Sequence, residues 1–419
     1  MKLRIVTWFA LLSMLLGLAA CQRENKEYLN NFEIVWQTVN ETYFDPTFGG
    51  VDWNEVHDRY RPLIAAAESD EELYSLINKM LWELNVSHAA IIPPGYWPHI
   101  LPTIFAEGSI GIDVRLLDGE AVIKSIEAGS PGDKAGLRPG FVIQRIDGIA
   151  IKQIAEEAEL NMLPPYNSPH RVNCITREIL SRIYGQPEAA VSIAYLDEHG
   201  ETNEKSIVRK ARAGKINILP PIFLEFESER LDNSIGYIRF NIFLPPEQVI
   251  VGVIKSMHDA PGLIFDFRGN PGGDNPERLA KYLVKERALV WRNKTRDRTV
   301  DVVVEPAETS YEGPVVVLID AMSMSASELF AAGLQAIGRA VIVGERSPGA
   351  VTKSELMQLP NGAYLMYPEA QHSTPDGIVL EGHGVVPDIE VSLDSTLLLQ
   401  GIDSQLEAAI RYIKKEMGE

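Results

Sequence analysis

Two apolar runs constrain this chain more than any other feature. Leu263-Ile264-Phe265 leads into Asp266-Phe267-Arg268-Gly269-Asn270-Pro271-Gly272-Gly273. Val315–Ile319 leads into Asp320-Ala321-Met322-Ser323-Met324-Ser325-Ala326-Ser327-Glu328. Each reads as a buried strand ending in a turn of small residues. Around them, strand candidates Ser234–Phe240, Gly262–Phe267, Pro314–Asp320 and Ala340–Val343 alternate with helix candidates Pro246–Met257, Pro276–Lys285 and Ser327–Ile337. That alternation predicts an α/β core. An amphipathic helix over Ser404–Met417 is expected to pack on it.

The turns carry the chemistry. A serine between a buried strand and a helix faces the helix's unbonded amides and the positive end of its dipole. This suits a nucleophile, because the oxyanion of the product sits in the same place. Capping the helix is the alternative use of such serines. In the other turn, glycine lets backbone amides approach a ligand closely. The turn has no Lys-Ser/Thr of a phosphate loop, so an N–H donated to an oxyanion is its candidate role. Asp266 and Arg268 read as a structural pair supporting it.

The regions ahead of the core differ in pattern. Over 27–92, Phe32, Val35, Trp36 and Val39 recur at helical spacing, as do Leu73, Leu76, Ile77, Met80, Leu81 and Leu84. Ser69-Asp70-Glu71-Glu72 supplies a helix start between them. Over 106–210, short strand candidates (Ile110–Leu116, Ala121–Ile126, Phe141–Ile146, Ala190–Tyr195) alternate with Gly/Pro turns. Ser130-Pro131-Gly132-Asp133-Lys134-Ala135-Gly136-Leu137 and Arg138–Gly148 resemble the corresponding run of a PDZ domain of the bacterial protease type. In that family the loop that binds a peptide carboxylate precedes a strand, and Gly108-Ser109-Ile110-Gly111-Ile112 stands in its place.

The Asp266–Gly273 turn, the Ser323–Glu328 turn and the PDZ-like run ahead of them together resemble peptidase family S41, the C-terminal processing peptidases and tricorn core proteases. The resemblance runs from about Phe32 to Val391. It implies a serine peptidase with a multi-domain α/β architecture and a core of the ClpP/crotonase-like type. The implied organisation is a signal peptide over 1–20, a helical subdomain over 21–105, a PDZ domain over 106–210, a peptidase core over 211–395 and a C-terminal helix over 396–419. The motif places the nucleophile at Ser325, with Ser323 and Ser327 as rivals, and the oxyanion donors at Ala326 and at Gly272 or Gly273.

The base separates two branches of the family. One branch uses a lysine in a turn after the next strand. Here that stretch reads Gly344-Glu345-Arg346-Ser347-Pro348-Gly349-Ala350, with alanine in the lysine's place and Lys353 three residues on. The tricorn-like branch uses a histidine and a glutamate. Leu84-Asn85-Val86-Ser87-His88-Ala89 and Leu380-Glu381-Gly382-His383-Gly384-Val385-Val386-Pro387-Asp388 resemble its two signatures. The resemblance therefore implies Ser325, His88 and Glu381, with Ser87 in support and His383 as a rival base. A neutral histidine takes the serine proton and returns it to the leaving amine, while a carboxylate on its other nitrogen fixes the tautomer. A chain that keeps the fold and the PDZ groove but no catalysis is the alternative, motivated by the missing lysine.

The N-terminus sets the expected location. Lys2 and Arg4 precede an apolar run from Ile5 to Ala20, and Leu18-Ala19-Ala20-Cys21 closes it. This reads as a lipoprotein signal peptide with Cys21 as the lipidated residue. Gln22 after the cysteine points to the outer membrane, facing the periplasm. The net charge of −19 excludes the basic footprint of a nucleic-acid binder. With Cys21 lipidated, Cys174 stands alone among the two cysteines and is expected as a buried small hydrophobe. The eight histidines are scattered, with no metal-binding spacing, and no cofactor fingerprint is present. The expected partners are protein or peptide substrates, captured by C-terminus at the PDZ domain, and the membrane through the lipid. Homo-oligomers are common in the family.

Overall fold

The computed structural model describes residues 26–418 apart from Leu163, Pro165, Leu219, Asp232 and Asn233. The expected signal peptide and the expected lipidation site, Cys21, lie outside the described residues. The chain divides into two compact units. One holds the described residues up to Pro94 with Thr295–Arg298 and Lys353–Ala370; the other holds Gly95–Lys294, Thr299–Thr352 and the chain from Gln371 onward.

The first unit is helical. Helix α1 covers 26–42, α2 is Trp53–Ala66 and α3 is Asp70–Trp82. Asp52 caps α2 by accepting from the Asn54 and Glu55 amides. Ser69 caps α3 by accepting from Glu72, and three acidic residues fill its first turn. Phe32, Val35, Val39, Leu73, Ile77 and Leu81 form one core. A short strand, β1 (Ala90–Ile92), follows. It pairs antiparallel with Tyr364–Met366, which in turn pairs with the strand Lys353–Gln358. The expected peptidase core over 211–395 is therefore interrupted: Lys353–Ala370 belongs with the helices. The reason is packing, since Leu359, Ala363 and Leu365 are buried in the helical core. Asn78 of α3 fixes β1 by donating to the Ile91 carbonyl and accepting from the Ile91 amide at 2.8 Å.

The second unit contains two six-stranded sheets among its strands. The first is antiparallel, in the order β2 (Ile112–Leu117), β3 (Glu120–Ile126), β4 (Val142–Ile146), β5 (Ala190–Leu196), β6 (Thr202–Val208). Helix α4 (Ser168–Ile183) covers it with Ile175, Ile179 and Ile183 against Ile112, Val114 and Ile193. The second sheet runs β7 (Phe226–Arg230), β8 (Gly236–Phe240), β9 (Leu263–Asp266), β10 (Val315–Ile319), β11 (Val341–Gly344), β12 (Ile389–Glu390). Only β7 is antiparallel to its neighbour. Helix α5 (Ala326–Ala336) packs on the face that carries Val315, Val317 and Ile319. Helix α6 (Ser404–Glu416) places Ala409 and Ile413 on the other face, against Val316 and Leu318. Both faces are covered, and so β10 is apolar at every position. The helix expected over Pro276–Lys285 is only Glu277–Ala280, because the chain then tightens into successive turns.

The antiparallel sheet and the α/β core are not separated as the expected boundary at 210 implied. Arg115 of β2 donates from Nε to Asp320 Oδ2 at 2.6 Å, just after β10. Asn173 of α4 donates to the Ala321 carbonyl, and Met322 is buried among the apolar residues of the antiparallel sheet. The turn after β10 is thus built by both sheets.

Candidate active site

Three serines lie at this turn, and their environments separate them. Ser323 is fully buried; its hydroxyl donates to the Phe267 carbonyl at 2.8 Å and accepts from the Asp320 amide at 2.9 Å. Ser327 is also fully buried and donates to the Asn270 carbonyl. Both stitch the serine turn to the glycine turn. Ser325 stands at the mouth of α5 with φ 53° and ψ −117°. That is a region L residues rarely occupy, and such strain persists only where surrounding contacts impose it. Its amide donates to the Ala350 carbonyl at 3.0 Å and to Glu328 Oε2 at 3.1 Å. The strained turn from strand to helix has the form of a nucleophile elbow.

The glycine turn lies directly against it. Gly272 has φ 99°, and a Cβ there would sit 2.6 Å from Ser325 Cβ and 2.9 Å from the Ala326 amide nitrogen. A Cβ on Gly273 would strike the Phe243 backbone at 2.8 Å. The Gly272 amide donates to Asn270 Oδ1 at 2.9 Å, and Asn270 is itself held by donating to the Phe240 carbonyl. Gly272 therefore spends its N–H within the turn. This leaves Gly273 and Ala326 as the better-placed donors for an oxyanion. Beneath the turn, Arg268 pairs with Asp266 through Nε at 2.9 Å and Nη2 at 2.6 Å, and its Nη1 reaches Asp403 and Gln405. Burial pushes the Asp266 carboxyl up, but Arg268, with help from Lys124, outweighs it and holds the group well below the usual carboxylate range.

One further residue, beyond those the motifs single out, organises the site. Glu328 is fully buried on the first turn of α5. Its carboxyl accepts from the Ser347 hydroxyl, the Gly349, Ala350 and Ser325 amides, at 2.5 to 3.1 Å. Burial, with the Glu381 carboxylate adding to it, pushes its carboxyl up to about 8, against the pull of the Ser347, Gly349 and Ser325 donors. Its spacing of three residues after Ser325 is the signature of a capping box, the signal that would have found it. Nearby, Glu381 Oε2 accepts from the Val351 and Thr352 amides at 2.9 Å each. The loop 347–352, where the dyad branch keeps its lysine, is therefore gripped by two glutamates.

The other expected residues fall as follows. In the first unit, Ser87 Oγ lies 2.7 Å from His88 Nδ1. His88 also has φ 58°. Lys353 is exposed and its ammonium pairs with Glu369 at 2.8 Å; that hydrogen bond raises its pKa, the opposite of what a general base needs. His383 is exposed beside the Glu381 carbonyl. Cys174 is half-buried with its Sγ 3.4 Å from His170 Nε2, a polar neighbour one helical turn away rather than the apolar packing expected. In the loop Gly108–Ile112, the Gly111 amide donates to Ser109 Oγ and the Ile110 carbonyl accepts from Gly132.

Comparison with known proteins bears on this geometry. Residues 234–391 match peptidase family S41, and residues 24–82 match the tricorn protease C1 domain. The chain carries a family S41 serine peptidase domain. The carboxyl-terminal-processing protease of Synechocystis sp. is 28% identical over 366 residues, 84% of this chain and 78% of the relative. The tricorn protease of Thermoplasma volcanium is 23% identical over 402 residues, 94% of this chain but 37% of the relative. Among solved structures, the photosystem II D1 C-terminal processing protease superposes with a TM-score of 0.55 at 20% identity, covering 89% of this chain and 96% of that one. The tricorn protease superposes with a TM-score of 0.53 at 19% identity, over 94% of this chain and 37% of that one. These superpositions share the mixed α/β fold with its helical N-terminal region.

Proposed function

We propose that this S41 peptidase works in the cell envelope and cleaves proteins or peptides through an acyl-enzyme on Ser325, with His88 as general base and Glu381 supplying the orienting charge. The observation that carries the reading is the backbone of Ser325, held at φ 53° against Gly272 while Ser323 and Ser327 are consumed by structural hydrogen bonds. Ser325 Oγ attacks the scissile carbonyl and its proton passes to His88. The oxyanion is received by the Gly273 and Ala326 amides. The imidazolium returns its proton to the leaving amine, and water then hydrolyses the ester by the reverse route. Alanine at 350 and the ion pair of Lys353 favour this over a lysine base.

The segment 106–210 is proposed as a PDZ-like module that captures a C-terminus or an extended segment. Its support is the loop Gly108–Ile112 running into β2, an edge strand open to addition. Lipidation at Cys21 and an outer-membrane location rest on the N-terminal signal. The test is labelling of the purified protein with a fluorophosphonate probe. Labelling should vanish in Ser325→Ala and His88→Ala, weaken in Glu381→Ala and persist in Lys353→Ala. A requirement for Lys353 instead of His88 would return the enzyme to the dyad mechanism. Folded protein with no labelling, and no cleavage of any protein substrate, would favour the peptide-binding alternative.

A further inference from the structure

Ser325 and Glu381 stand on different turns of the second unit, and an unbroken chain of hydrogen bonds joins those turns. The Ser325 amide donates to Glu328 Oε2 at 3.1 Å. The same oxygen accepts from the Ala350 amide at 3.0 Å, while the Ala350 carbonyl accepts from the Ser325 amide at 3.0 Å. Ser325, Glu328 and Ala350 thus close a small ring on the backbone of the candidate nucleophile. Glu328 Oε1 carries the chain onward, meeting the Gly349 amide at 2.7 Å and the Ser347 hydroxyl at 2.5 Å. Ser347 Oγ in turn accepts from the Val385 amide at 2.7 Å, and the Gly349 carbonyl accepts from the Gly382 amide at 2.8 Å. Gly382 and Val385 belong to the turn that begins at Glu381.

Packing leaves this chain little freedom. Glu328 and Ser347 are both fully buried. A Cβ on Gly349 would lie 2.6 Å from the Gly384 nitrogen, and one on Gly384 would lie 2.1 Å from the Ser347 carbonyl oxygen. The loop 347–350 is therefore pressed between the Glu328 carboxyl and the turn after Glu381. Ser325 holds a backbone conformation that needs outside contacts to impose it, and the Glu328 and Ala350 bonds are such contacts.

We infer that Glu328, acting through Ser347, is a positioning residue: it imposes the Ser325 backbone and fixes the nucleophile's turn against the turn that carries Glu381. The inference rests on the peptidase reading above and names what holds its site in register. A satisfied buried network rigidifies what it joins. A nucleophile displaced by about 1 Å loses on the order of a hundredfold in rate. The tether also carries a charge that depends on pH. Burial, with the Glu381 carboxylate adding to it, pushes the Glu328 carboxyl up to about 8. Of the other ionisable groups on the surrounding loops, Arg346 donates to the His383 carbonyl, His383 is exposed, and the Glu345 carboxyl is acted on by Asp320. As pH rises through about 8, Glu328 gains a negative charge beside the Ser325 and Ala326 amides, and that charge opposes an oxyanion there.

The experiment measures the rate at which a fluorophosphonate probe labels the purified full chain, against probe concentration, from about pH 6 to 9. The maximal rate reports how well the nucleophile is placed; the half-saturating concentration reports probe binding. Glu328→Ala should lower the maximal rate about a hundredfold and leave the half-saturating concentration where it is. Glu328→Gln keeps the shape and one acceptor oxygen, and should lose about tenfold. The wild-type rate should fall above about pH 8, and Glu328→Gln should lack that fall. Ser347→Ala combined with Glu328→Gln should cost less than the product of the two single losses, because both act in one chain. An unaltered maximal rate in Glu328→Ala, an alkaline fall retained in Glu328→Gln, or single losses that simply multiply would overturn the inference. Where Glu328→Ala does not fold, by near-ultraviolet circular dichroism, Glu328→Gln and Ser347→Ala decide it. Amide hydrogen exchange needs no catalysis: in Glu328→Gln and Ser347→Ala, segments 323–330, 345–352 and 382–386 should lose protection together. Joint loss in a chain that the probe never labels supports the tether and overturns the peptidase reading; loss confined to one segment overturns the tether.

Discussion

Two buried ionic clusters lie under the serine and glycine turns, and they are built differently. In the first, Asp266 and Arg268 are matched at every point: Asp266 also accepts from Tyr237 and the Arg268 amide, and Arg268 also reaches Asp403 and Gln405. In the second, Asp113, Arg115, Lys124 and Asp320 meet where β2 and β3 approach the serine turn, and the matching is incomplete. Among the described residues Asp113 Oδ2 and Arg115 Nη2 have no hydrogen-bond partner; Lys124 and Arg239 approach Asp113 Oδ2 only to 3.8 and 3.9 Å. Arg115 Nη2 lies so close to Gly269 that a Cβ there would be 2.5 Å away. The first cluster belongs wholly to the α/β core and fixes the glycine turn. The second joins two layers of the unit, and its looseness marks it as a contact whose strength can vary without unfolding the core. Satisfied buried networks rigidify; partly satisfied ones are replaceable.

The comparison can be broken by mutation. Arg268→Ala strands a buried carboxylate and should cost about 3–5 kcal/mol in urea unfolding, with loss of fluorophosphonate labelling as the glycine turn collapses. Arg115→Ala should cost less, about 1–3 kcal/mol, because Asp320 keeps the Gly269 and Met322 amides. Equal costs for the two would erase the distinction drawn here.

A third prediction concerns pH. The Glu328 carboxyl is raised to about 8 in the folded protein, from an ordinary value of 4.5. Between these values the folded state holds a proton that the unfolded state has released. Stability from this group is thus full below about pH 4.5 and is lost as pH rises toward 8. Glu328→Gln should flatten that part of the profile of urea midpoints measured from pH 5 to 8; an unchanged slope would show that its four donors, not burial, govern the group. The smallest effect is expected at Lys124. Burial, followed by Arg268 and Arg115, lowers its pKa to about 8. Replacing so poorly paired a charge by methionine should change stability by no more than about 1 kcal/mol at pH 8. A loss as large as that of Arg268→Ala would show the second cluster to be as fixed as the first.

Local signals made much of this legible. The strands around Leu263–Asp266 and Val315–Ile319 follow from unbroken apolar runs, and α3 begins where Ser69 and three acidic residues announce it. The family motif already singles out Ser325 as the candidate nucleophile, and its backbone and the hydrogen bonds of Ser323 and Ser327 set it apart from the serines two residues either side. What stayed hidden was long-range. Arg115 and Asp320 are 205 residues apart, and neither has a neighbour in sequence that forecasts the other. Cys174 was misjudged because a helical neighbour four residues away, His170, decides its environment.

The pairing of β1 with Tyr364–Met366 has a consequence for how the chain is made. The two strands are separated by more than half the polypeptide. At about 5–20 residues per second of synthesis, the second leaves the ribosome roughly 15 to 55 seconds after the first. Through that interval the helices α1–α3 exist without the sheet that completes their core, with Ile91 lacking its hydrogen-bonded neighbour and the cover of Leu359 and Leu365 still to come. The N-terminal unit is thus the earliest part of the described chain to be translated and among the last to be finished.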